Sequence, residues 1–169
     1  NDALTNVDWS NIKLFTSTAE VSNVDDMTWL SETANNKPVI EYCGGTEIAG
    51  GYITSTIVQP NYASTFSTPA LGLYFHLLDE NKNSSNKGEL ALIPPSLGLS
   101  RELLNKDHHE IYYQDMPEIN GKILRRHGDQ LEKLTNGYYK SLGRAEDTMK
   151  LGGINISSAE IERILDEAI

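Results

Sequence analysis

The chain has 169 residues, 38% hydrophobic and 22% charged, with a net charge of −10. That is enough for one domain with a real core and is unlike a disordered segment. The acidic balance argues against a nucleic-acid groove, the one cysteine (Cys43) allows no intrachain disulfide, and no apolar run approaches a membrane span.

Asn1-Asp2-Ala3-Leu4 carries neither the basic nor the apolar part of a secretory signal, so an intracellular, cytoplasmic setting is expected. Residues 12–18 alternate and read as a strand. Asn23 stands before Val24-Asp25-Asp26, where acids in a first turn satisfy free N–H groups and the helix dipole. The helix is expected to end near Asn35-Asn36, before Pro38. Residues 38–42 follow as a second strand, and the β-α-β order predicts parallel neighbours.

After Gly44 the pattern changes. Residues 52–58, 71–78, 89–93 and 122–126 read as strands separated by turn-rich segments, which predicts an antiparallel sheet or open barrel. The charged run 79–89 is expected to be a solvated hairpin and 101–106 a short helix. Asp107-His108-His109-Glu110 is expected to be a surface loop. Its adjacent histidines would face opposite sides of an extended segment, and no third ligand has suitable spacing. Residues 138–142 and 147–151 read as further strands. Residues 157–169 read as an amphipathic helix with Ile161, Ile164, Leu165 and Ala168 on one face.

Three segments could carry chemistry. Glu41-Tyr42-Cys43-Gly44-Gly45-Thr46-Glu47 lies where a strand meets a loop, the edge at which α/β sheets bind ligands. Its glycines admit close backbone approach, Thr46 offers a hydroxyl to a phosphate, and Glu47 offers a hard oxygen to Mg²⁺. Taken alone, it also reads as a polar turn. Arg126-His127-Gly128-Asp129 places a carboxylate at an expected strand end, where it could accept from a ribose diol or simply occupy a turn. The run 137–153 combines aromatics, turn glycines, Arg144, and the adjacent acids Glu146 and Asp147. It reads as a hinge beside an anionic ligand.

Taken in order, these segments resemble the AMP-forming acyl-CoA synthetases, the adenylate-forming (acyl-activating) enzymes. The likeness runs over residues 12–169 and is to acetyl-CoA-synthetase-like and plant acyl-activating members. Glu41-Tyr42-Cys43-Gly44-Gly45-Thr46-Glu47 is similar to the family's Tyr-Gly-x-Thr-Glu motif, Thr18-Ala19-Glu20-Val21 to its Gly-Glu-Pro-type adenine segment, and Gly143-Arg144-Ala145-Glu146-Asp147 to its Gly-Arg-x-Asp-Asp. The resemblance implies an α/β (mixed α+β) fold. Residues 1–145 would be the end of the large domain, with 1–50 a β-α-β edge and 51–145 a barrel-like subdomain. Residues 146–169 would be the hinge and the first hairpin and helix of the small domain.

The resemblance also implies roles. Thr46 would contact the adenylate phosphate and Glu47 would hold Mg²⁺. Ala19, Glu20, Glu41, Tyr42, Cys43, Gly44 and Gly45 would lie along the nucleotide or acyl group. Asp129 would bind the ribose, Arg144 the ribose and phosphate, and Glu146 would be the hinge, where Asp is usual. Lys150 matches the lysine after the hinge, and Gly152 and Gly153 would lie on the CoA side. Asn155 replaces a second phosphate-contacting Arg. The implied reaction joins a small-molecule carboxylate, ATP and CoA through an acyl-adenylate. The implied partner is the remainder of the same polypeptide, with the phosphate loop before Asn1 and the adenylation lysine beyond Ile169, so the segment alone is expected to be inactive. Cys43 and Gly44 imply a larger acyl group than acetate. The alternatives are an adenylation domain that loads a carrier protein, and a non-catalytic interaction module.

Overall fold

The computed structural model describes Leu4, residues 7–151 and residues 154–168. It is a mixed α/β arrangement of several sheets. Strand β1 (Phe15–Ser17) is followed by helix α1 (Val24–Thr33), β2 (Val39–Gly45) and β3 (Gly50–Thr54). Asn23 caps α1 by accepting from the Asp25 N–H at 2.8 Å, and Asn35 and Asn36, both at φ 58°, end it. The expected parallel pair is present, with Phe15 opposite Val39 and Ser17 opposite Glu41. The rest of that sheet is antiparallel, β2 to β3 and β3 to β4 (Thr68–Pro69).

The second sheet has the order β10 (Tyr139–Arg144), β9 (Arg125–Lys133), β6 (Lys87–Leu92), β5 (Phe75–Leu78), all antiparallel. Phe66 bridges Tyr139, exchanging N–H···O bonds of 2.9 Å in both directions, and so joins the two sheets. Between them Ile48, Tyr52, Ile53, Phe66, Leu90, Leu92 and Leu131 form the main core. Each such apolar side chain contributes roughly 1.5–3 kcal/mol on burial. A smaller cluster of Leu78, Ala91, Met116 and Leu124 lies beside the short hairpin β7 (Glu118–Ile119) and β8 (Lys122–Ile123). The chain ends in the hairpin β11 (Thr148–Leu151) and β12 (Ile154–Ser157), then helix α3 (Ser158–Ala168). On α3, Ile164 and Leu165 are more than half exposed.

Several boundaries differ from the sequence reading. The strand expected at 52–58 starts at Gly50 and stops at Thr54, and the apolar pair Ile57 and Val58 is exposed in a turn. The strand expected from 71 begins at Phe75, because Gly72, at φ 80°, turns the chain first. No helix forms at 101–106, where Leu104 has nothing to bury against. Helix α2 (His108–Tyr112) starts instead in the expected loop 107–110, capped by Asp107, whose Oδ1 accepts from the Glu110 N–H at 2.9 Å. Within it His108 Nε2 lies 2.8 Å from the Ser100 carbonyl. The run 79–89 holds the expected hairpin turn, fixed by Asp79 accepting from the N–H groups of Asn81 and Asn83, but Lys87–Glu89 already belong to β6 and Glu89 is paired with Lys82 and Arg126 rather than solvated.

The largest difference is β9. It was expected to end at Arg126 and runs on to Lys133. Its alternating inward residues are Arg125, His127, Asp129 and Leu131, all buried. Three of the four are polar, so the strand has no apolar alternation to reveal it.

Candidate functional site

The site is built on β2, β9 and β10 and on two irregularities between them. Glu89 pairs with Gln130 and Ala91 with Arg126, so β6 spans with two residues what β9 spans with four. The extra length is a bulge at 127–129, centred on Gly128 at φ 92°. A second register shift on β10, between Ser141 and Gly143, brings Arg144 opposite Asp129. Bulges of this kind re-aim side chains. Here they deliver the Arg144 guanidinium onto Asp129, with Nη1 2.7 Å from Oδ1. The guanidinium lies over Gly128, where an added Cβ would sit 3.1 Å from Nη2. Asp129 is therefore a buried strand residue, which excludes the turn reading.

Asp129 has a different set of partners on each oxygen. Oδ2 accepts from the Tyr52 hydroxyl at 2.6 Å and from the Cys43 thiol at 3.5 Å. His127 Nε2 lies 3.3 Å from the same atom. Burial by itself raises the Asp129 pKa, but the contacts from His127, Tyr52 and Arg144 more than offset it, bringing the group down from 3.8 to about 2. Burial pushes the Cys43 thiol up to about 11, with the Asp129 charge adding to it, so this thiol stays protonated at neutral pH. Burial likewise raises the Tyr52 hydroxyl, which remains a donor. Burial lowers the Arg144 pKa, and the Asp129 carboxylate outweighs that and raises it.

On β2 the glycines are set by the backbone. Gly44 faces Gly51 at a bulge in the β2–β3 pair, and a Cβ there would fall 2.1 Å from the Gly50 carbonyl oxygen. The missing side chain at 44 is thus required by strand packing, whatever room it also leaves for a ligand. A single 3₁₀ turn, Thr46–Ile48, follows β2. The Glu47 carboxylate folds back over Gly45, where a Cβ would meet Oε1 at 2.5 Å. It ends 3.3 Å from His127 Nδ1. The Glu47 carbonyl accepts from the Ser100 N–H at 2.8 Å, which ties the turn to the loop before α2.

A cavity of about 580 Å³ opens over these groups. Its lining includes Gly44, Gly45, Glu47, His127, Arg144 and Glu146, together with Glu89, Ile111, Tyr112 and Arg126. Asp129 and Cys43 sit beneath it through the contacts just given. Glu146, on the reversal after β10, is exposed and 3.4 Å from the Arg144 Nη2. Of the remaining expected site residues, Ala19 and Glu20 are exposed on a bend, and Tyr42 and Thr46 are exposed on β2 and the 3₁₀ turn. Glu41 is buried toward Ser22, and burial raises its pKa although a hydrogen bond with Ser22 lowers it. None of these five lines the cavity. Gly152 and Gly153 lie outside the described residues.

The sequence reading missed Tyr52, Tyr112 and Arg125. Tyr52 was read only as part of a strand, and nothing near it in sequence marks it as a partner of Asp129, 77 residues away. Arg125 is fully buried, donates to Ser100 Oγ at 2.9 Å and lies 3.7 Å beneath the Tyr112 ring, a cation–π contact that seats α2 on β9. Replacing Tyr52 by Phe is expected to cost about 1.5–3 kcal/mol at neutral pH, the range for a hydrogen bond to a charged group. It should also raise the Asp129 pKa. Urea unfolding and carboxyl NMR titration check the two effects.

No family model matches the chain. It is 50% identical over 165 residues to hexanoyl-CoA synthase of Cannabis sativa, covering 95% of this chain and 23% of that enzyme. It is 51% identical over 162 residues to probable acyl-activating enzyme 17, peroxisomal, of Arabidopsis thaliana, covering 93% of this chain and 22% of that protein. Among solved structures, an anthranilate CoA ligase in complex with anthranoyl-AMP superposes with a TM-score of 0.75 at 22% identity, covering 95% of this chain and 30% of that one. The chain thus spans less than a quarter of the length of these two curated relatives.

Proposed function

We propose, from the premise that this chain is a segment of the AMP-forming acyl-activating and acyl-CoA synthetase superfamily, that it forms the nucleotide-facing wall of an enzyme that activates a carboxylate with ATP and transfers the acyl group to CoA. The observation that carries this reading is the Asp129–Arg144 pair at the bulged β9–β10 crossing, beside a cavity lined by Arg144 and Glu47.

Asp129 is held ionised, and its bonds from Tyr52 and Arg144 fix it in place, so it can accept hydrogen bonds from the hydroxyls of a ribose diol. Oδ1 faces Arg144, which is nearly half exposed and lines the cavity, and is the oxygen we assign to a ligand hydroxyl. A permanently charged, forked guanidinium can share Asp129 and still present donors to a phosphate. The first turn after β2 puts Glu47 in the lining of the same cavity. Among the described residues no three ligating side chains converge on one point, and the cavity carries Glu47, Glu89 and Glu146 against Arg126 and Arg144. One carboxylate in an acidic cavity fits Mg²⁺ that arrives on nucleotide phosphates, not a cage made by protein alone. Bound there, Mg²⁺ would offset the charge that builds on the phosphate. Thr46, on the same turn, is proposed to meet that phosphate, and the strand 41–45 with Ala19 and Glu20 to border the adenine and acyl group.

We assign residues 1–145 to the large domain and 146–169 to the hinge and the start of the small domain, with Glu146 as pivot and Gly152 and Gly153 on the CoA side. The Arabidopsis relatives are named as peroxisomal, and a peroxisome rather than the cytosol is the compartment we propose. Hexanoyl-CoA synthase among the relatives favours a medium-chain acyl group over acetate. The test is thioester formation by the full-length enzyme with a panel of carboxylates. CoA thioester with hexanoate above acetate is the expected result. Thioester formed only on a carrier protein would replace CoA with the carrier as acceptor.

A further inference from the structure

His127 lines the cavity and faces both proposed ligand-binding carboxylates. Its side chain is 1% exposed, with Nδ1 3.3 Å from Glu47 Oε1 and Nε2 3.3 Å from Asp129 Oδ2. Neither nitrogen has a well-aligned hydrogen bond among the described residues. Buried ring nitrogens without such partners are uncommon, and here the two carboxylates are what they face. The ring cannot turn aside, because Tyr52 packs against it at a centroid distance of 4.6 Å and an interplanar angle of 70°. Tyr52 is itself fixed by its bond to Asp129. Arg144 Nη1 donates to the His127 backbone carbonyl at 3.4 Å, which ties the strand beneath the ring to the guanidinium.

A rigid ring held this way has one degree of freedom that matters. A small movement that aligns one nitrogen with its carboxylate draws the other nitrogen away. Moving the Asp129 carboxylate as its diol binds therefore shifts the ring against Glu47, and moving Glu47 shifts it against Asp129. We infer that His127 is a positioning residue that couples Glu47 to Asp129, so that occupation of the ribose end of the cavity sets the carboxylate at the phosphate end. The inference rests on the nucleotide reading above. Coupling of this kind is reciprocal between the two ends.

The experiment is a double-mutant cycle on AMP affinity, measured by calorimetry on the full-length enzyme with Mg²⁺ present. Glu47→Gln, Asp129→Asn and the double variant are compared in three backgrounds: native, His127→Leu and His127→Gln. With His127 present, the effect of the double variant should differ from the product of the single effects by about 5-fold or more, as for residues sharing a network. In His127→Leu it should agree with the product to within about 2-fold. His127→Gln, which keeps a donor in a similar place, should fall between. A packing role alone would lower the melting temperature of His127→Leu and leave the non-additivity in place, which would overturn the inference. Additive effects with His127 present would overturn it as well. If Asp129→Asn leaves AMP affinity unchanged, the nucleotide reading falls and takes this inference with it. A weakened affinity with additive effects removes the coupling alone.

Discussion

Asp129→Asn is expected to weaken AMP binding by the full-length enzyme about 100-fold and to flatten the acid limb of its stability curve. The first effect follows from exchanging a charged acceptor of two hydroxyl bonds for a neutral one with a single acceptor oxygen. Bonds to charged groups exceed neutral ones by about 1 kcal/mol or more each, and about 1.4 kcal/mol is a factor of ten. The second follows from linkage. The folded-state pKa of Asp129 is about 2, below its ordinary 3.8. A depressed acid stabilises the fold above its unfolded pKa and loses that contribution as pH falls through its folded pKa. The window is therefore pH 4 down to pH 2, and the amount lost is about 2 kcal/mol. Native protein should lose stability across this window and the Asn variant should lose that much less. Isothermal denaturant melts at half-unit pH steps measure it. At neutral pH the variant should start lower, because Arg144 and Tyr52 lose their charged partner.

Gly44→Ala is expected to destabilise the fold by about 3 kcal/mol, the upper end of the range for forcing atoms into a packed interior, because here backbone must move. The added methyl would sit 2.1 Å from the Gly50 carbonyl oxygen and 2.6 Å from the Gly51 Cα. Both contacts are with backbone, so no side-chain rotation relieves them. The β2–β3 bulge would open, and the 3₁₀ turn that aims Glu47 leaves directly from it. The variant should therefore lose thermal stability and, in the full-length enzyme, magnesium-dependent turnover. Gly50→Ala is the control. A Cβ at Gly50 meets nothing within 4 Å, so its melting temperature should stay close to that of the native protein.

What could be read from the sequence tracks where the physics is local. The α1 cap at Asn23, the parallel pair it connects and the hairpin turn within 79–89 all depend on residues close together in the chain, and all are where the sequence places them. The order of Glu47, Asp129, Arg144 and Glu146 suggested a nucleotide site through its resemblance to the acyl-activating family, because each segment by itself also reads as an ordinary polar turn. The geometry around Asp129 was hidden because its polar residues are buried on a strand. Arg125, His127 and Asp129 occupy the buried face of β9, so the strand looks like a polar loop. Tyr52 looks like any strand tyrosine until the sheet brings its hydroxyl to Asp129. Gly44 looks like room for a ligand, while its immediate cause is the approach of β3. The α2 start at Asp107 was missed because its five residues are too few to show a helical period.

The most direct measurement is carboxylate-dependent ATP–pyrophosphate exchange by the full-length enzyme, compared between the native protein and Arg144→Ala. The native enzyme should exchange label only when carboxylate and Mg²⁺ are both present. Arg144→Ala should lower kcat/KM for ATP by about 10²-fold or more, the scale for losing a charged donor at a developing charge. No carboxylate-dependent exchange by the native enzyme, or full exchange by the Arg144→Ala variant, would contradict the assignment of this cavity to nucleotide activation.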